Sequence, residues 1–206
     1  MFLRYLFTFL FSCSYVIFAL ADCMNNASGE DFVCTCESPN RYWLIVNCSR
    51  RGLVHLPAGI PENTTHLRLD NNNLTKIASD ALLRFFQLKE ISLDFNKLTE
   101  LPKFPKYINR ISANYNYLKS IDGVFSNLTR LDRIMLNGNP IKKLTKTSFQ
   151  GAHFRRIDVC DSALEQIEPF TFAGLQSINE IHLQKIQIKG LMENAFFFRS
   201  KGMIEM

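Results

Sequence analysis

Glycine and proline are scarce in this 206-residue chain, at 9 and 7 positions. That excludes collagenous and low-complexity character. Charge of one sign is also scarce: 24 basic against 19 acidic side chains leave a formal net charge of +5. A dedicated nucleic-acid binder would carry a much stronger basic excess, and a chain that is 47% apolar is too hydrophobic to be disordered. Catalytic patterns are absent, with no G-x-S-x-G elbow, no phosphate-cradling glycine loop and no H-E-x-x-H. The four histidines (His55, His66, His153, His182) have no metal-ligand spacing. The sequence therefore predicts no enzyme, no catalytic residue, no metal site and no cofactor.

One long apolar run is present. Arg4 precedes a greasy stretch from Tyr5 to Leu20 that closes on Ala19-Leu20-Ala21. A basic start, an apolar middle and an A-x-A exit describe a secretory signal, with cleavage expected after Ala21. Ser12 and Ser14 interrupt the run, which falls short of the roughly 18 residues a membrane span needs. No stable membrane insertion of the mature chain is expected. Glycosylation sequons at Asn26, Asn47, Asn63, Asn73 and Asn127 agree with export. The expected localisation is secreted, in the extracellular space or matrix, an oxidising compartment where cysteines pair.

The pattern L-x-L-x-x-N-x-L recurs along the chain. It begins with Leu67, Leu69, Asn72 and Leu74, and returns at Ile91, Leu93, Asn96 and Leu98. Further copies are Ile111, Ala113, Asn116, Leu118 and Ile134, Leu136, Asn139, Ile141. Two weaker copies start at Ile157 and Ile181, with Ser162 and Ile186 where Asn stands in the others. The first positions are 24, 20, 23, 23 and 24 residues apart, a leucine-rich-repeat period. Each alternating pair places two side chains on the inner face of a short strand. The Asn turns the chain, and its amide bonds the backbone of neighbouring turns. Phe125, Phe149, Phe172 and Phe196 recur in step and are expected to stack at the convex side, with Leu82 in that place in the first repeat. The second repeat is short and uses Leu101-Pro102-Lys103-Phe104-Pro105 as an extended arc.

Before the first repeat, Cys23, Cys34, Cys36 and Cys48 lead into Ser49-Arg50-Arg51-Gly52-Leu53-Val54-His55-Leu56-Pro57. From spacing alone, four cysteines permit three connectivities. This segment, with the repeats behind it, resembles extracellular leucine-rich-repeat proteins with a cysteine-rich N-terminal cap, the group that includes Slit, Toll-type receptors and small leucine-rich proteoglycans. The resemblance covers roughly residues 23 to 200. It implies the pairs Cys23–Cys36 and Cys34–Cys48. A cap covers the core that a solenoid would expose at its end.

The expected fold class is α/β: a curved leucine-rich-repeat solenoid with a parallel sheet on its concave face and irregular or briefly helical returning arcs. The expected domains are a signal peptide (1–21), the cysteine-rich cap (22–63), about six repeats (64–201) and a short tail (202–206). The concave face is the expected binding surface. Its first column of outward residues reads His66, Glu90, Arg110, Arg133, Arg156, Glu180; the second reads Arg68, Ser92, Ser112, Met135, Asp158, His182. The third reads Asp70, Asp94, Asn114, Asn137, Cys160, Gln184. Partner-binding is assigned to Arg68, Arg110, Arg133, Arg156, Met135 and His182, since clustered arginine offers fixed bidentate donors for carboxylates. The competing reading is a solvated face whose ion pairs need no partner. Phe95 and Tyr115 read as aromatic anchors beside the column, or as plain loop packing.

Once the cap is paired, Cys160 is left over. It reads as a partly covered free thiol, or as the link of a disulfide-bonded dimer. The expected function is a secreted, non-enzymatic binding module for an extracellular protein: a matrix component, growth factor or receptor. The alternatives are the N-terminal part of a membrane-anchored receptor ectodomain, a binder of sulfated glycans, and a non-catalytic subunit of a secreted complex. No nucleic acid is expected as a partner.

Overall fold

The computed structural model describes residues 33–126, 128–175, 177–197 and the strand at 203–205. Two sheets run through it. An antiparallel hairpin of β1 (Thr35–Asn40) and β2 (Trp43–Asn47) opens the longer one. One strand per turn then joins in parallel: β3 (His66–Arg68), β4 (Glu90–Ser92), β5 (Arg110–Ser112) and β6 (Arg133–Met135). The series continues with β8 (Arg156–Asp158), β10 (Glu180–His182) and β12 (Met203–Glu205), and the order along the sheet is β1-β2-β3-β4-β5-β6-β8-β10-β12. The shorter sheet joins β7 (Lys143–Leu144), β9 (Gln166–Ile167) and β11 (Gly190–Leu191) on the returning arcs, in the order β11-β9-β7. Elsewhere the arcs are turns. Among the described residues none is helical, so the irregular form of the expected arcs is the one realised.

From β3 to β10, each three-residue strand has a β-branched or leucine centre facing inward. Val46, Leu67, Ile91, Ile111, Ile134, Ile157 and Ile181 stand in register across the sheet and are buried. Two residues on, Leu69, Leu93, Ala113, Leu136, Val159 and Leu183 form a second buried row. A parallel register with period-2 alternation therefore sends every flanking side chain to the opposite face.

Turning the chain out of each strand strands its backbone groups in the core, where unpaired amides are costly. The buried asparagines supply the partners. Asn116 Nδ2 donates to Leu93 O at 2.9 Å in the preceding repeat and to Asn114 O at 3.1 Å in its own. Its Oδ1 accepts Leu98 N at 3.0 Å. Asn96 and Asn139 repeat this, accepting Leu74 N and Leu118 N while donating to Leu69 O and Ala113 O. Asn72 ties the first repeat to the cap through Cys48 O and through Arg51 N and Leu53 N. Ser162, in the fifth repeat, reaches only Val159 O of its own turn.

Behind the sheet, Phe125, Phe149, Phe172 and Phe196 stack nearly parallel, with ring centroids 6.5, 5.6 and 5.5 Å apart. Phe154 meets Phe125 and Phe149 edge-on. Such pairs are worth about 0.5–1.5 kcal/mol each beyond the area they bury. Leu82 is fully buried, as is the extended arc's Phe104 within a few per cent. At the N-terminal end a disulfide joins Cys34 and Cys48, both core residues. Cys36 is also disulfide-bonded. Cys23, the segment 1–21 and the sequons Asn26 and Asn127 lie outside the described residues.

On the arcs, Asp122 gathers hydroxyls across a repeat boundary. Thr145 Oγ1 and Ser148 Oγ donate to its Oδ1 at 2.6 and 2.7 Å, and Ser120 Oγ to its Oδ2 at 3.0 Å. Partial burial pushes this carboxyl up, but hydrogen bonds from Thr145, Ser148, Ser120 and Thr147 together outweigh burial and hold it below its ordinary value.

Two outcomes follow from these contacts. Asn116→Leu removes buried partners on both sides of a turn, at about 1–3 kcal/mol for each group left unpaired; Ser162→Ala, which breaks one local bond, should cost clearly less in thermal melting. Equal losses would mean that the asparagine does not bridge repeats. A depressed folded pKa contributes stability above the unfolded value, and that contribution disappears as pH falls through the folded value. Asp122→Asn should therefore melt below the wild type at neutral pH, with the gap closing below about pH 3.9. A gap of constant size from neutral to strongly acidic pH would contradict the charge-dependent clamp.

Candidate functional site

The outward residues of the long sheet form the candidate surface. Backbone register puts His66, Glu90, Arg110, Arg133, Arg156 and Glu180 side by side across neighbouring strands. Adjacent strands lie about 4.8 Å apart, so Arg110, Arg133 and Arg156 form a continuous cationic stripe. Its two outer members are paired. Arg110 Nη1 lies 3.3 Å from Glu90. Arg156 Nε contacts both Asp158 oxygens, at 2.8 and 2.9 Å, and its Nη1 lies 3.5 Å from Glu180. Arg133 has no ion pair among the described residues, and its Nε is buried without an acceptor.

The second column behaves less uniformly than its spacing implies. Arg68 is exposed at the N-terminal end, and Met135 stands between Ser112 and Asp158 in register. His182 packs into the Arg156 network, with Nδ1 3.5 Å from Asp158 and Nε2 3.4 Å from Glu180. The structure thus brings Arg156 and His182 together, gives Arg110 to Glu90, and leaves Arg68 and Arg133 apart. At the other end of the stripe, burial lowers the His66 pKa; Arg68 and Arg110 add to that effect, and Glu90 opposes it. Its ring stays neutral at pH 7 against Trp43, centroids 5.0 Å apart.

The third column carries a ladder that spacing alone does not disclose. Asp94 Oδ1 accepts Asn114 N at 2.7 Å, Asn114 Oδ1 accepts Asn137 N at 2.8 Å, and Asn137 Oδ1 accepts Cys160 N at 2.7 Å. The signal available in the sequence was the run of short Asx side chains at one register position. Cys160 is unpaired and partly covered. Asn47, on β2 in register with Arg68, belongs to the same face; Asn63 and Asn73 are exposed.

Beyond the third column, Phe95 and Tyr115 both adopt positive φ, at 53°. That backbone is unusual for bulky residues. Their rings stack at 4.7 Å with 10° between planes, and about half of each remains exposed. Tyr115 in turn lies on Gly138, where an added Cβ would overlap its Cδ1. The two rings are thus packed on each other and still open to solvent. Among the described residues, no cluster of three His, Cys, Asp or Glu side chains could hold a metal ion, and no helix is long and apolar enough to cross a membrane.

Gly138→Ala should cost about 1–3 kcal/mol, from positive φ and from displacing the Tyr115 ring. In a Tyr115→Ser background the same change should cost roughly 1 kcal/mol less, because only the backbone strain remains. Strictly additive melting effects would mean that ring and glycine do not meet.

No protein-family model matches the chain. Among curated proteins, it is 27% identical over 173 residues to oligodendrocyte-myelin glycoprotein of Mus musculus, covering 73% of this chain and 38% of that protein. It is also 27% identical over 172 residues to leucine-rich repeats and immunoglobulin-like domains protein 1 of Homo sapiens, covering 79% of this chain and 15% of that protein. The chain spans less than half the length of these relatives. Among solved structures, the crystal structure of a TLR13–ssRNA13 complex superposes with a TM-score of 0.65 at 20% identity, over 75% of this chain and 24% of that one. The chain folds as a leucine-rich-repeat solenoid with a disulfide at its N-terminal end, and over about three quarters of its length it is similar to curated proteins, one of them named for its leucine-rich repeats.

Proposed function

We propose that the chain is a secreted, non-enzymatic binding module that recognises an extracellular protein through the solvent face of its long sheet. The observation that carries this reading is Arg133. It stands between two paired arginines, lacks a carboxylate of its own among the described residues, and holds a buried Nε with no acceptor. A central, partly desolvated guanidinium is suited to a carboxylate supplied by a partner, and Met135 two residues along offers an adaptable apolar contact beside it. Secretion is supported by the apolar N-terminal segment ending in Ala19-Leu20-Ala21, the five sequons and the Cys34–Cys48 disulfide. Glu90, Asp158 and Glu180 occupy the other two arginines, which counts against a polysulfated glycan on this face.

The test is proximity labelling of partners by the secreted, glycosylated chain. Arg133→Ala should leave secretion and melting unchanged and weaken the captured partner by about 2 kcal/mol, roughly thirtyfold. A partner indifferent to Arg110, Arg133 and Arg156 would move the binding surface elsewhere. A dimer linked through Cys160 would cover this same face. The reading therefore also requires a monomer on non-reducing electrophoresis; a dimer band that disappears with reductant and in Cys160→Ser would oppose it.

A further inference from the structure

An open groove of about 730 Å³ follows the edge of the long sheet where the strands begin. It runs from Trp43 on β2 to Asn179, the residue before β10. Buried Leu131 and Phe154 contribute to its lining. Four cations line it, Lys89, Arg110, Arg130 and Arg155, against two carboxylates, Glu90 and Asp132. Both carboxylates are engaged: Arg110 lies 3.3 Å from Glu90, and Arg155 Nη2 lies 3.1 Å from Asp132. Lys89 and Arg130 have no carboxylate partner among the described residues; the Arg130 guanidinium rests 5.2 Å from the Tyr107 ring centroid.

We propose that this groove docks an extended acidic peptide segment of a protein partner, whose carboxylates meet Lys89 and Arg130. The proposal rests on the protein-binding reading above and adds a second contact of stated chemistry beside the sheet face. Charge complementarity selects the sign: the groove's two uncommitted charges are both positive. Dimensions select an extended chain. Lys89 is the residue before β4 and Arg130 lies three residues before β6, so they stand at least two strand spacings apart, or about 10 Å. That is about three residues or more of extended peptide at roughly 3.3 Å each. Its backbone would find donors and acceptors in Asn109, Thr129 and Ser177.

The probe is a fluorescent decapeptide of alternating Glu and Ser, with a Gln-Ser decapeptide as the neutral control, read by anisotropy on the intact secreted chain. The acidic peptide should bind and the neutral one should not. Binding should fall roughly tenfold or more in Lys89→Glu/Arg130→Glu, and also in Lys89→Gln/Arg130→Gln, which guards against misfolding of the first variant. Equal affinity for wild type and both groove variants would overturn the proposal. An equal loss in Lys97→Glu/Lys119→Glu, on exposed lysines outside the groove, would overturn it as general charge attraction. A heparin octasaccharide that binds more tightly, and is lost in the same groove variants, would replace the peptide with a glycan. Failure here alongside partner capture that still depends on Arg133 would end the groove proposal and leave the sheet-face reading standing. Peptide binding in the groove with capture indifferent to the arginine stripe would do the reverse.

Discussion

A solenoid must turn its backbone through its own core, and every amide and carbonyl exposed by that turn needs a partner there. This requirement governs the N-terminal half of the molecule. Asn72, Asn96, Asn116 and Asn139 meet it with one side chain per turn, each donating to the preceding repeat and accepting from the turn between them. Because each amide reaches backbone atoms about twenty residues away, the bonds also lock the pitch. A fixed pitch is what holds the flanking residues of successive strands in straight columns. The stripe at Arg110, Arg133 and Arg156 exists because the turns beneath it cannot slip.

The features legible in the sequence are those tied to this period. The inward pairs, the asparagines and the phenylalanine stack all fall where the spacing predicts, since a register error of one residue would send each to the wrong face. The columns on the sheet face were readable for the same reason. So was the isolation of Arg133, whose own column has carboxylates only at Glu90 and Glu180. Interactions that depend on rotamers and on the angle between turns were not readable. His182 is an example: its column position suggested an open contact residue, yet its ring turns into the Asp158–Glu180 network. Gly138 is another, since nothing in its immediate sequence says that a tyrosine ring from the preceding repeat lies on it. The groove from Trp43 to Asn179 belongs to this second group as well, because its walls come from turns of unequal length.

Both ladders lapse at the same place, and the molecule changes its means of support there. Cys160 ends the third-column ladder, because a thiol is a weak acceptor where Asp94, Asn114 and Asn137 supply strong ones. Two residues on, Ser162 replaces the buried asparagine and reaches only its own turn, and Ile186 follows in the next repeat. The short sheet β7-β9-β11 lies on the arcs that follow β6, β8 and β10, and so coincides with the region where the ladders fade. The phenylalanine stack runs over much the same span, from Phe125 to Phe196. Polar bonds near the strand ends thus hold the first turns, while arc strands and ring packing hold the later ones. Arg133 lies on β6, where these two modes of support meet. On the binding reading proposed above, the ends of the stripe already hold carboxylates of this chain, and the unpaired guanidinium between them is the one left to take a carboxylate from a partner.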